Sequence, residues 1–239
     1  MSGASAVRPT ILLFDVDGTL LSAAGAGRRA LERAFQTHCG TAAPLRDVRF
    51  NGMTDPGIVR VGLEQLGRAA EPSVVAAILD DYVPLLADEL TRADGFQVFP
   101  GVTALLDALA AADRAAVGLG TGNLRAGARL KLAHAGLEAY FSFGGFGCDH
   151  ELRAELLRIG AARGAASLGC TPDECRVVVI GDTPHDVAAA RAIGAASLGV
   201  GTGGCDAAQM RAAGSTWAYD DLAAPGVLDV LCEGAITCG

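Results

Sequence analysis

The chain has 239 residues, of which 51% are hydrophobic and 19% charged, enough apolar material to pack one large domain or a domain with a smaller companion. Its net charge of -8 argues against a nucleic-acid partner, which needs a basic face. An acidic protein that handles an anion must gather positive charge locally, from a metal, an arginine or a helix end.

The opening MSGASAVRPT has no signal-peptide character, and the apolar run 11–14 that follows is too short to span a membrane. A cytoplasmic chain without a membrane partner is expected, monomer or homodimer. Run 11–14 lacks polar alternation, as a strand buried on both faces does. Residues 22–95 then read as helices only, at 27–38, 56–66 and 73–90, before the return segment GFQVFPG. After it, buried strands at 115–119, 177–180, 196–200 and, more weakly, 216–219 alternate with helices at 102–112, 124–135, 153–163 and 185–193. That rhythm predicts βαβ units and a parallel sheet. The expected fold is therefore α/β, a Rossmann-like parallel sheet core (1–21 and 95–239) with an inserted all-helical cap domain (22–94). Seven cysteines are scattered without a CxxC pair, and reduced thiols are expected.

Three strand ends carry chemistry. Asp15-Val16-Asp17-Gly18-Thr19 places two carboxylates at i and i+2, able to hold a divalent cation and move a proton, although an Asp-Gly turn needs no function. Gly181-Asp182-Thr183-Pro184-His185-Asp186 adds two more acids, which by themselves suit a helix cap. Thr121-Gly122-Asn123 offers a hydroxyl and free backbone N–H groups, fit for a phosphate oxygen or for capping. Ligands of open α/β sheets sit beyond the carboxyl ends of the strands, so the three loops should converge. Two acid pairs there would repel unless a cation held them.

Taken together, DVDGT after the first strand, a threonine ending the second and GDxxxD ending a later one resemble the haloacid dehalogenase-like superfamily. VFPGVTALLDAL is similar to its return from an inserted helical cap, and TGNLRAGARLKLAHAGLEAYF to its phosphoglycolate phosphatase-like members. The resemblance implies a phosphatase for a small phosphorylated metabolite. Asp15 would be the nucleophile and Asp17 the proton donor and acceptor. Mg²⁺ would be held by the Asp15 side chain, the Asp17 backbone carbonyl and Asp182, with Asp186 supporting metal and waters. Thr121, Gly122 and Asn123 would bind the phosphoryl group, and an acid at position 17 favours phosphoryl transfer over carbon–halogen cleavage. A sugar phosphomutase, or a silent binding protein on the same fold, is the alternative.

Two further expectations concern charge. The family's usual active-site lysine has no counterpart at its place; Arg153, opening helix 153–163, is expected to substitute for it. Lys131, the chain's one lysine beside eighteen arginines, is expected to lie too far along its helix to reach the site. In the cap, Arg49, Asn51 and Thr54 are specificity candidates, while Thr54 or Asp55 is suited to cap the helix that starts with Pro56.

Overall fold

A computed structural model describes residues 8–112 and 115–232. The elements run β1 (Thr10–Phe14), β2 (Leu21–Ser22), α1 (Ala26–Cys39), α2 (Asp55–Gln65), α3 (Pro72–Thr91), β3 (Gln97–Val98), α4 (Val102–Ala110) and β4 (Ala115–Thr121). They continue with α5 (Arg125–His134), β5 (Gly144–Phe146), α6 (Arg153–Ser167), β6 (Arg176–Gly181), α7 (Pro184–Ala192), β7 (Ala196–Val200), α8 (Ala207–Ala212), β8 (Trp217–Tyr219) and α9 (Val227–Cys232).

β1, β4, β5, β6, β7 and β8 form a parallel sheet in the order β5-β4-β1-β6-β7-β8. β1 lies inside it because all five of its residues are apolar or small and buried. Its alternate side chains serve two faces: Ile11 and Leu13 pack with Leu156, Leu157 and Val179, while Leu12 and Phe14 join Val178 and Ile180 on the other side. The α/β class read from the sequence is the observed one.

α1, α2 and α3 lie between β2 and β3, which pair antiparallel through Leu21↔Val98 and Ser22↔Gln97. The chain thus leaves and re-enters the sheet part through one narrow ribbon. These two-residue strands are too short to leave a periodic signal. β5 was also missed, since Gly144-Gly145-Phe146 reads as an irregular loop; only pairing to β4 makes it an edge strand. The expected cores of the helices hold, with boundaries shifted by a few residues. Residues 1–7, 113–114 and 233–239 of the expected core, Cys238 among them, lie outside the described residues; the other six cysteines are free thiols. Among the described residues no helix is long and apolar enough to cross a membrane.

Candidate active site

The carboxyl ends of β1, β4 and β6 meet, because these strands are neighbours in register: Phe14 sits between Leu119 and Ile180. The Asp15 backbone N–H donates to Ile180 O at 2.9 Å, carrying the ladder one residue past β1 and fixing where its carboxylate starts. Asp182 leaves β6 beside it. Asp186 stands in the first turn of α7, where its Oδ2 accepts from Thr183 N at 3.1 Å and Thr183 Oγ1 at 2.7 Å. That capping box turns Oδ1 toward Arg153. Arg153 Nη2 lies 2.5 Å from Asp186 Oδ1 and 2.8 Å from Asp15 Oδ2, so one guanidinium nitrogen bridges both acids. Close packing of α6 on β5 sets this reach, since a Cβ on Gly145 would stand 1.8 Å from Leu156 O.

The acids are dry: Asp15 is 6% exposed, Asp182 and Asp186 1% each. Burial raises the Asp15 carboxyl above its usual range, against the pull of Arg153 and with a further push from Asp186. Burial likewise pushes Asp182 up to about 8, helped by Asp15 and Asp186. Burial works against the Arg153 charge, but Asp15 and Asp186 outweigh it and raise its pKa.

One oxygen each of Asp15, Asp182 and Asp186 lies within 4.8 Å of the others. Three carboxylates facing one guanidinium leave two negative charges to be balanced, and an all-oxygen donor set suits a hard divalent cation. Two backbone loops close tightly on Asp182. A Cβ on Gly18, whose φ is +83°, would stand 2.3 Å from Asp182 Oδ2, and one on Gly203 1.7 Å from it. The residues present fit a metal ion.

The opposite wall is built from helices. The Asp17 side chain is 43% exposed. Its Oδ2 accepts from Asn123 Nδ2 at 2.8 Å and from Lys131 Nζ at 2.5 Å. Lys131 Nζ also donates to Asn123 Oδ1 at 2.5 Å, and Asn123 Nδ2 to Thr121 Oγ1 at 2.9 Å. The Thr121 side chain also favours the ionised form of Asp15, against the larger effect of burial. Asp55, the first residue of α2, is buried; its Oδ2 accepts from Leu124 N at 2.7 Å, and its N–H donates to Gly122 O at 2.8 Å. Burial pushes Asp55 up to about 6, against the pull of Lys131 and the Leu124 N–H bond. Between the walls lies a cavity of about 460 Å³, bordered by Asp15, Asp182 and Arg153 on one side and by Asp17, Arg28, Asp55, Tyr82 and Lys131 on the other.

A family model described as haloacid dehalogenase-like hydrolase matches residues 9–194, more than three quarters of the chain. The chain belongs to the haloacid dehalogenase-like hydrolases. It is 30% identical over 200 residues to the tyrosine-protein kinase PtkA of Mycobacterium tuberculosis H37Rv, across 82% of this chain and 63% of that protein. The chain therefore spans less than two thirds of the curated relatives it matches. Among solved structures it resembles CbbY from Rhodobacter sphaeroides in complex with phosphate, with a TM-score of 0.69 at 18% identity over 93% of this chain and 99% of that one. A predicted phosphatase from Clostridium acetobutylicum gives 0.68 at 19%, over 95% and 99%. At such identities these likenesses establish the fold.

Within this hydrolase fold, Asp15, Asp17, Gly122, Asn123, Arg153 and Asp182 all border the cavity, and Asp186 stands behind Asp15 and Arg153. Thr121 is fully buried, and its hydroxyl oxygen accepts from Asn123 behind the cavity wall. Asn51 lines the cavity. Thr54 and Arg49 do not: Thr54 is the N-cap of α2, accepting from Gly57 N at 3.2 Å, and Arg49 is exposed.

Lys131 requires a correction, because the expectation that it lies out of reach is wrong. Its distance was reckoned along the helix axis to the helix start, whereas its partner Asp17 hangs from a loop beside the helix. One turn earlier on the same face stands Gly127, which offers no side chain to block a stem leaning toward the helix start. Asp55 and Tyr82 were also missed as cavity residues. Asp55 stands in the cap turn before Pro56 but reads there only as a helix cap, Tyr82 belongs to no local motif, and the only sequence signal for Lys131 was its being the sole lysine.

Proposed function

We propose that this hydrolase is a Mg²⁺-dependent phosphatase for a small, phosphoglycolate-like monoester, working through an aspartyl phosphate on Asp15, with residues 22–94 as its cap. The observation that carries the reading is the pairing of Asp15 with Arg153 at the cavity floor, with Asp17 facing the same space from two residues away.

A phosphoryl group on the floor would meet the Arg153 guanidinium and the Gly122 backbone, both bordering the cavity. The Asp15 carboxylate forms a bond to phosphorus as the ester P–O bond breaks, and the leaving oxygen takes a proton from Asp17. Water then attacks phosphorus, the bond to Asp15 breaks, and Asp17 takes the water's proton. Asp15, Asp182 and the Asp17 backbone carbonyl would hold Mg²⁺, with Asp186 supporting. When bound, the metal supplies charge neutralisation for the phosphoryl oxygens, the main need of this chemistry. The cavity of about 460 Å³ under the helices favours a small ester over a bulky one.

Phosphate release from p-nitrophenyl phosphate, with Mg²⁺ and after its removal by chelation, tests the reading. Activity should require the metal, and Asp15→Asn should lose at least about 10⁴-fold, the scale of deleting a covalent nucleophile. Robust turnover by that variant would sink the mechanism. Isomerisation of a hexose phosphate in place of phosphate release would move the reading to the phosphomutases.

A further inference from the structure

We infer that Lys131 is a positioning residue of this site, aligning Asp17 both directly and through Asn123; the inference rests on the phosphatase reading above. It follows from which groups can donate and which can only accept. Asn123 stands between Lys131 and Asp17. An ammonium has only donors and a carboxylate only acceptors, so one orientation of the Asn123 amide satisfies both: Oδ1 toward Lys131, Nδ2 toward Asp17. Lys131 thereby sets the amide, and the same Nδ2 also reaches Thr121 Oγ1 at 2.9 Å. Thr121 Oγ1 receives the Asn123 backbone N–H as well, at 3.3 Å.

The Lys131 side chain is 4% exposed, so little water competes for its donors. On Asp17, Oδ2 already receives Asn123 and Lys131, which leaves Oδ1 as the oxygen free to exchange a proton with a leaving group in the cavity. One helix-borne ammonium thus holds the acid/base in a single frame with Asn123. Neutral side chains at 131 would free the amide to flip, and a flipped Asn123 would turn an oxygen against the Asp17 carboxylate.

The readout that separates alignment of Asp17 from mere structural support is the leaving group. Alkoxide departure needs a proton in the transition state, and p-nitrophenolate departure does not. Wild type, Lys131→Met, Asn123→Ala and Asp15→Asn would be assayed with Mg²⁺ on glycerol 1-phosphate and on p-nitrophenyl phosphate. Lys131→Met should lower kcat/KM, which reads the steps up to leaving-group departure and not the shared hydrolysis of the aspartyl phosphate, about 100-fold on the alkyl ester, within the range of general acid catalysis, yet only within about tenfold on the aryl ester. KM should change little on either, and Lys131→Arg, also a pure donor, should restore part of the alkyl activity. Equal losses on the two esters, or none, would overturn the inference while leaving the aspartyl mechanism standing. Should Lys131→Met fail to fold, Asn123→Ala must show the same leaving-group signature, and its absence overturns the inference too. Equal turnover by wild type and Asp15→Asn would instead remove the phosphatase reading and this inference with it.

Discussion

The two walls of the cavity are held by different forces. At the sheet wall, Asp15, Asp182, Asp186 and Arg153 are fixed by strand ladders and one helix start, and their own charges are the dominant interaction. At the helical wall, Asp55 and Lys131 are carried by α2 and α5, Asp17 and Asn123 by the loops after β1 and β4, and directional hydrogen bonds decide their arrangement. The first wall concentrates negative charge of the kind a divalent cation would balance. The second aligns groups one by one, and nothing there calls for an added ion. A substitution should therefore act through electrostatics on one side and through geometry on the other.

The largest expected effect breaks the sheet wall. Arg153→Ala leaves three buried carboxylates without their counter-ion, which should cost about 3–5 kcal/mol of stability, the scale of breaking a buried ion pair from one side. Turnover should fall about 100- to 1000-fold, as for loss of one preorganised charge donor. Urea denaturation and p-nitrophenyl phosphate kinetics measure the two. A stable, active Arg153→Ala would show that another group neutralises this wall.

An added cation should sharpen the same contrast at smaller scale. If the acids form a metal site, Mg²⁺ at about 100 times its Kd stabilises the folded protein by about 2.7 kcal/mol. Thermal unfolding of wild type and Asp182→Asn, with and without Mg²⁺, reads this directly. The wild type should gain in melting temperature and Asp182→Asn should gain much less. Equal gains would place the bound ion elsewhere.

The two walls also differed in how well the sequence disclosed them. Asp15 and Asp17, like Asp182 and Asp186, sit within a few residues of each other at the ends of apolar runs, where pattern and spacing suffice. Arg153 was placed by resemblance to a family, and the close approach of α6 to the sheet put it against Asp15. The helical wall assembles residues 17, 55, 82, 123 and 131 from separate elements, so no window of sequence contains it. Lys131 shows the physical reason most clearly. Axial rise along one helix says nothing about a loop that runs alongside it. Arg49 erred the other way, since its charge near a promising turn suggested contact, and the loop left it in solvent.

The smallest expected effect tests the helical wall through Asp55. Its carboxyl faces Leu124 N–H, Lys131 and, at longer range, Asp17 and Asp15; burial outweighs the favourable partners and lifts it to about 6 from 3.8. A carboxyl raised in the folded state contributes stability that is complete below pH 3.8 and lost as pH rises through about 6. Two pKa units correspond to about 3 kcal/mol, an upper bound on the cost of the ionised form at neutral pH. Asp55→Asn keeps an acceptor for Leu124 N–H and removes the charge, but buries an amide N–H₂ that needs a partner. The net gain above pH 7 should therefore be about 1–2 kcal/mol, shrinking toward zero near pH 4. Denaturant midpoints of both proteins across that range give the difference, in which every other titrating group cancels. A gap that grows between pH 4 and 6 and then levels off matches an acid at a dry joint between α2 and α5. A gap independent of pH would mean that Lys131 and the α5 N-terminus hold Asp55 ionised at no cost, and that charge rather than alignment governs the helical wall as well.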